Sequence, residues 1–194
     1  MKKIKKALIS VSDKQNLKYI LKTLSKYKIE LISSGGTYKE INKLKFKCIE
    51  ISKYTESPEI LGGRVKTLHP KIHAGILNKR SNKIHQKEIE QNNFENIDLV
   101  IVNFYPFEKT LEKTNSHNKI IENIDVGGPT MVRAAAKNYN DVTIITSPKQ
   151  YDKFIKELNL NKGSTSLNFR QKMSEEAFSE TAYYDALISN YFNK

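Results

Sequence analysis

Arg64 and Lys66 stand two residues apart in the stretch GGRVKTLHPKIHAGIL (62–77), and Thr67 follows at once. In an extended segment, residues two apart point to the same side. A planar guanidinium beside a point-charge ammonium then suits an anion. The plainer reading is two surface cations in a basic chain. Two further segments bear on the choice. In SSGGT (33–37), Ser34, Gly35, Gly36 and Thr37 follow an apolar run and open a helical pattern. Glycines let backbone N–H groups approach an anion closely, and a helix start favours negative charge. Ser34 and Thr37 would add hydroxyls, although a tight turn capped by Thr37 would look the same. Ser12-Asp13-Lys14 also ends an apolar run and begins a helix. Its alternative is a capping residue and a solvated lysine. If both junctions lie side by side in a parallel sheet, one phosphate fits between Lys14 and the Ser34–Thr37 backbone.

Proton chemistry needs other groups. NFYPF (103–107) runs from Asn103 to Phe107, and Pro106 holds Tyr105 extended. The phenol can face a cleft or fill the core. DVGGP (125–129) sets Asp125 before Gly127, Gly128 and a proline that suits a helix start. Asp125 could equally cap that helix. Lys137 closes RAAAK, where a cation also complements the helix dipole. His69 and His73 are four apart, but no Glu follows His69 and no Cys accompanies them, so no metal site is expected. They can instead fix the 62–77 segment through hydrogen bonds. That segment, which suits neither helical nor strand periodicity, reads as a loop.

The elements that would carry these groups alternate. Strands are expected at Lys6–Ser12, Ile29–Ser34, Cys48–Ser52, Ile97–Tyr105 and Asp141–Ser147. Helices are expected at Lys14–Tyr27, from Tyr38, near Lys83–Gln91 and after Pro129. The pattern predicts an α/β fold in three layers: a doubly wound, mainly parallel sheet with helices on both faces. Ligands in such sheets sit beyond the carboxyl ends of the strands. That rule selects Ser12–Lys14, Ser33–Thr37, Asn103–Phe107 and Asp125–Gly128. The tail predicts a helical extension over about 168–192, with Met173, Ala177, Phe178, Ala182, Leu187, Ile188 and Tyr191 as packing positions.

Length and composition set the limits. A chain of 194 residues predicts one domain, 1–194. No apolar run approaches the roughly 20 residues that span a bilayer, and MKKIKKALISVSDK has no h-region of a signal peptide. The lone Cys48 points to a reducing, cytoplasmic compartment. The net charge is +12, yet the lysines are dispersed and there is no Trp and no basic block. Nucleic acid is therefore not the expected partner; a basic surface also steers a small phosphorylated anion.

Taken in order, LISVSDK, SSGGT, ESPEILGGRVKTLHPKIHAGIL, DLVIVNFYPF, IENIDVGGPTMVRAAAKN and FSETAYYDALISNYF resemble the IMP cyclohydrolase domain along essentially the whole chain. That domain is the N-terminal half of a bifunctional purine-biosynthesis enzyme that also carries AICAR formyltransferase activity. The resemblance implies a methylglyoxal-synthase-like fold. It implies ring closure of FAICAR (5-formamidoimidazole-4-carboxamide ribotide) to IMP and water, with no metal and no cofactor. No formyl transfer is expected from this chain, and a homodimer is expected of the family. Under this reading Ser12, Lys14, Ser34, Gly35, Gly36, Thr37 and Arg64 hold the phosphate, and Thr67, Asn103, Gly127 and Gly128 complete the substrate site. Lys66 stabilises the oxyanion with Tyr105 as a donor, and Asp125 and Lys137 form a second proton-handling pair. A methylglyoxal synthase and a non-catalytic nucleotide-binding regulatory domain are the alternatives on the same fold.

Overall fold

The computed structural model describes residues 1–193. A short strand β1 (Lys2–Lys3) leads into β2 (Lys6–Val11), where only Ser10 is not buried. Such a strand needs cover on both faces. Helix α1 (Leu17–Lys26) supplies part of it by burying Leu17, Ile20, Leu21 and Leu24, one stripe of a 3.6-residue period. Strand β3 (Glu30–Ser33) and helix α2 (Gly35–Lys43) follow, the helix starting three residues before the expected Tyr38. The expected strand at Cys48–Ser52 shrinks to β4 (Ile49–Glu50). Ile51, Tyr54 and Thr55 are buried at helical spacing, and they draw the chain into α3 (Ile51–Thr55) instead.

The segment 62–77 is only half a loop. Its second half is helix α4 (Pro70–Leu77). Pro70 takes the first helical position, and His69 caps the helix by accepting the Lys71 N–H on Nδ1 at 3.1 Å. The inner face is Ile72, Gly75 and Ile76. Gly75 belongs there because a Cβ would lie 2.6 Å from the Glu95 carbonyl oxygen. A glycine on the buried face hides the apolar stripe from a periodicity reading.

Helix α5 (Lys83–Gln91), β5 (Leu99–Asn103), α6 (Phe107–Lys113), α7 (His117–Glu122), α8 (Gly127–Lys137), β6 (Thr143–Ile145), α9 (Tyr151–Leu160), β7 (Ser164–Thr165) and α10 (Leu167–Phe192) complete the chain. The five longer-range strands form one parallel sheet in the order β4-β3-β2-β5-β6, and β1 pairs antiparallel with β7 apart from it. The α/β, mainly parallel expectation holds. The chain steps outward from β2 to β4 and then returns to the other side of β2 as β5. The direction of winding thus reverses between β2 and β5, which is where an open α/β sheet leaves a crevice at its carboxyl edge. Among the described residues, no helix is long and apolar enough to cross a membrane.

The inner face of α10 differs from the expected one. Arg170, Met173, Ser174, Ala177, Thr181 and Tyr184 are buried, whereas Phe178 and Ala182 face out. The polar members are satisfied internally, as burial requires. Arg170 donates to the carbonyls of Tyr139 (2.7 Å), Thr165 (2.6 Å) and Asn140 (3.0 Å), and Ser174 donates to that of Ala136 (2.8 Å). These bonds tie α10 to the end of α8, the turn that follows it and β7.

Candidate active site

The crevice between β2 and β5 is held by one side chain. Asn103, the last residue of β5, accepts the N–H groups of Ser12 (2.7 Å) and Asp13 (2.9 Å) on Oδ1 and donates Nδ2 to the Asp13 carbonyl (3.0 Å). All three bonds shape the turn after β2, so the Asn103 carboxamide is committed to the frame. Beside it, Thr37 both accepts the Val11 N–H and donates to the Val11 carbonyl, each at 3.0 Å. Its hydroxyl is spent on β2, and only its backbone N–H remains for a ligand. Both residues were expected to offer side chains to the substrate. The structure gives those side chains to the walls.

Helix α2 begins at Ser34-Gly35-Gly36 with Gly35 at φ 51°, in the left-handed region that glycine tolerates. The first amides of a helix have no partner within it and form a positive end. Two ammonium groups stand over this turn. A Cβ on Gly36 would lie 3.9 Å from Lys14 Nζ, and one on Gly35 would lie 3.6 Å from Lys66 Nζ. Neither lysine is in a salt bridge among the described residues. Ser34 is buried here, and Ser12 lines the neighbouring turn.

The third wall is the start of α8. Asp125 Oδ1 accepts the Gly128 N–H at 2.8 Å. At Gly127 and Gly128 any larger residue would push a neighbouring side chain aside. A Cβ on Gly128 would meet Asp125 Oδ2 at 2.4 Å, and one on Gly127 would meet Thr67 Oγ1 at 2.4 Å. Burial pushes the Asp125 carboxyl above the usual aspartate range, against the opposing pull of the Gly128 N–H and the Lys66 charge. Lys66 thus bridges the α2 turn and Asp125, and Thr67 lies against α8. Lys14, the α2 turn, Lys66, Thr67, Asp125, Gly127 and Gly128 come together.

Three expected members stand apart. Arg64 is exposed and makes a two-bond pair with Glu122, Nε to Oε1 at 3.0 Å. Tyr105 is on the loop beyond β5 and is 57% exposed. Lys137 ends α8, ten residues past Gly127 and so about 15 Å along the axis, exposed at the far edge of the sheet. The expected Asp125–Lys137 pair is not formed within the chain, because the helix that joins the two residues also separates them. His69 is the cap of α4, and Lys71 pairs with Glu56 over the Tyr54 ring. Burial lowers the His73 pKa, with the Thr67 carbonyl opposing. One contributor was missed: the Tyr184 hydroxyl accepts the Asp125 N–H at 2.8 Å. Nothing in the sequence links residues 59 apart in that way.

Comparison with known proteins bears on the fold and the family. The MGS-like domain model matches residues 16–130, well over half of the chain. The chain belongs to the MGS-like domain family. Residues 135–194 match a second model, described as AICARFT/IMPCHase bienzyme. The bifunctional purine biosynthesis protein PurH of Prochlorococcus marinus (strain MIT 9515) is 51% identical over 97% of this chain, and that of Bradyrhizobium diazoefficiens is 45% identical over 100%. In both cases the chain spans 36% of the relative's length. The crystal structure of ForH superposes with a TM-score of 0.86 at 30% identity, covering 97% of this chain and 99% of that one. The MGS-like core ends near the start of α8, and the second match takes in only the last turn of α8 and all of α10.

Proposed function

We propose that this MGS-like chain is an IMP cyclohydrolase, closing the ring of FAICAR to give IMP and water. The observation that carries the reading is that Lys14 and Lys66 converge on the glycine turn of α2 while the charge of Lys66 is also felt at Asp125. The similarity to PurH proteins over nearly the whole chain supports the same substrate class.

The reaction is intramolecular. Holding the formyl and carboxamide groups in attack geometry is worth on the order of 7–11 kcal/mol in favourable cases, part of which the substrate supplies itself. Lys14 and the free amides at the start of α2 bind the phosphate. This leaves the base to extend toward Lys66 and Asp125. The carboxamide nitrogen attacks the formyl carbon, a C–N bond forms, and the former formyl oxygen gains negative charge. Lys66 faces that charge. Asp125 takes the proton that the carboxamide nitrogen loses, a task suited to a carboxylate whose pKa burial has raised. The oxygen then leaves as water, carrying that proton and a second one from the formamido nitrogen. Tyr105, on the exposed loop beyond β5, donates to the oxygen only when the ligand draws that loop inward. Arg64 reaches the ligand only by leaving Glu122. Lys137 is given no step from its position in this chain.

Adding FAICAR to the purified chain without folate should change the ultraviolet absorbance to that of IMP. No change at any enzyme concentration would end the reading. Formation of methylglyoxal from dihydroxyacetone phosphate would favour the other enzyme of this fold. Gly128→Ala should lower turnover at least tenfold, because the new methyl must displace the Asp125 carboxylate. The fold should remain, since φ at this position is not in the left-handed region. Parent-level turnover in that variant would remove Asp125 from the mechanism.

A further inference from the structure

The distal half of α10 packs on a small apolar cluster of its own, separate from the main core. Phe107, Ile120 and Tyr184 are its buried centre, with Leu187 and Tyr191 against them. Tyr184 is 4% exposed. Its ring lies 4.9 Å from that of Phe104, tilted by 47°, and edge-on to Phe107 at 6.3 Å. Phe104 and Phe107 bracket Tyr105 and Pro106. Its hydroxyl meanwhile accepts the Asp125 N–H. One side chain therefore grips both the loop after β5 and the turn before α8.

A phenylalanine would satisfy the apolar contacts. The hydroxyl adds one part-buried bond, and that bond goes to the amide of Asp125, the candidate acid of the cup. A buried N–H without a partner is costly, so the turn is held where the phenol oxygen can reach it. We propose that Tyr184 is a positioning residue for Asp125: it locks the Asp125 turn in register with the Tyr105 loop, and α10 thereby sets the geometry of a cup it does not line. For its kinetic readout this inference rests on the cyclohydrolase reading. The groups facing the Asp125 carboxyl are Lys66 from the 62–77 segment, the Gly128 N–H from α8 and the Tyr184 phenol from α10, with Asp185 beside the phenol. Burial raises the Tyr184 pKa, so the phenol stays neutral while Asp125 titrates.

Tyr184→Phe keeps the ring and removes the acceptor. With the turn slackened, the Gly128 N–H holds the carboxylate less firmly. The expected result is a kcat about tenfold lower with KM within about twofold, and an acid limb of the pH profile moved to higher pH. A carboxyl ¹³C titration should find Asp125 ionising at higher pH than in the parent protein. In the unaltered protein the Asp125 amide should be protected from hydrogen exchange. A merely structural tyrosine would lower the melting temperature and leave kcat, the acid limb and the Asp125 titration where they were, and that outcome overturns the proposal. So does rapid exchange of the Asp125 amide in the parent. If the parent protein leaves FAICAR unchanged, the cyclohydrolase reading fails alone; the Asp125 titration and exchange then decide the role of Tyr184.

Discussion

Lys66→Ala is expected to lower kcat for FAICAR closure by about 10²–10³-fold, the usual effect of deleting one donor to a developing oxyanion. The ammonium stands between the phosphate-binding turn of α2 and the carboxyl of Asp125, where the reacting end of the ligand begins. It lies over Gly35, its charge is felt at Asp125, and among the described residues no salt bridge claims it. Charge at the formyl oxygen develops in the transition state, so KM should change less than kcat. A second signature follows from the electrostatics. Lys66 is one of two groups that pull the Asp125 carboxyl down against its burial. Without it, Asp125 should ionise at still higher pH, and the acid limb of the rate profile should move the same way. Lys66→Arg should restore little, since a forked guanidinium cannot occupy the same point. Lys14→Ala provides the contrast. Lys14 stands over Gly36 at the phosphate end, so its loss should raise KM and spare kcat. Parent-level kcat in Lys66→Ala, measured by the absorbance of IMP, would remove Lys66 from the chemistry.

The legible parts of this molecule are those where one residue type does one job. Strands β2 and β5 announce themselves because both faces are covered and nearly every residue is apolar. Once they are placed, the parallel sheet and its carboxyl-edge crevice follow. The misread parts are those where a polar or small residue does interior work. Helix α4 hides behind Gly75, which is buried to let the Glu95 carbonyl approach. On α10, Arg170, Ser174 and Tyr184 take inner positions because backbone carbonyls and the Asp125 amide are waiting there, Thr181 turns its hydroxyl back to its own helix, and Phe178 is left outside under Arg133. The same ambiguity runs through the site. Residue type raised Lys14, Lys66, Asp125 and the glycines as candidates, and the family resemblance grouped them with Arg64, Tyr105 and Lys137. It could not tell that the Thr37 hydroxyl and the Asn103 carboxamide serve the frame, because a polar side chain at a strand end can face either way. Lys137 is a different case. The helix after Pro129 was legible, and a rise of about 1.5 Å per residue already separates its two ends.

Asp125→Asn should give the most diagnostic result, because activity and stability are expected to move in opposite directions. Turnover should fall by about 10²–10⁴-fold, as when a general base is lost. Asparagine keeps the shape and can still accept the Gly128 N–H, so the cup should stay assembled. The stability argument depends on the direction of the pKa shift. Burial raises the Asp125 pKa in the folded protein above its ordinary value of 3.8. The folded state therefore binds the proton more tightly than the unfolded chain does. The stability this confers is fully present below the unfolded pKa and is lost as pH rises through the folded one. Above that window the parent protein holds a buried carboxylate at a cost, and the amide does not carry it. Melting temperature should thus rise in Asp125→Asn near pH 7 and show no such gain at about pH 3, where both states of the parent are protonated. A variant that loses both turnover and melting temperature at neutral pH would mean that Lys66 and the Gly128 N–H outweigh burial, and that Asp125 is a structural cap. A variant that gains stability as it loses turnover would identify a carboxyl kept under strain for its chemistry, on a turn that the fold holds through Tyr184.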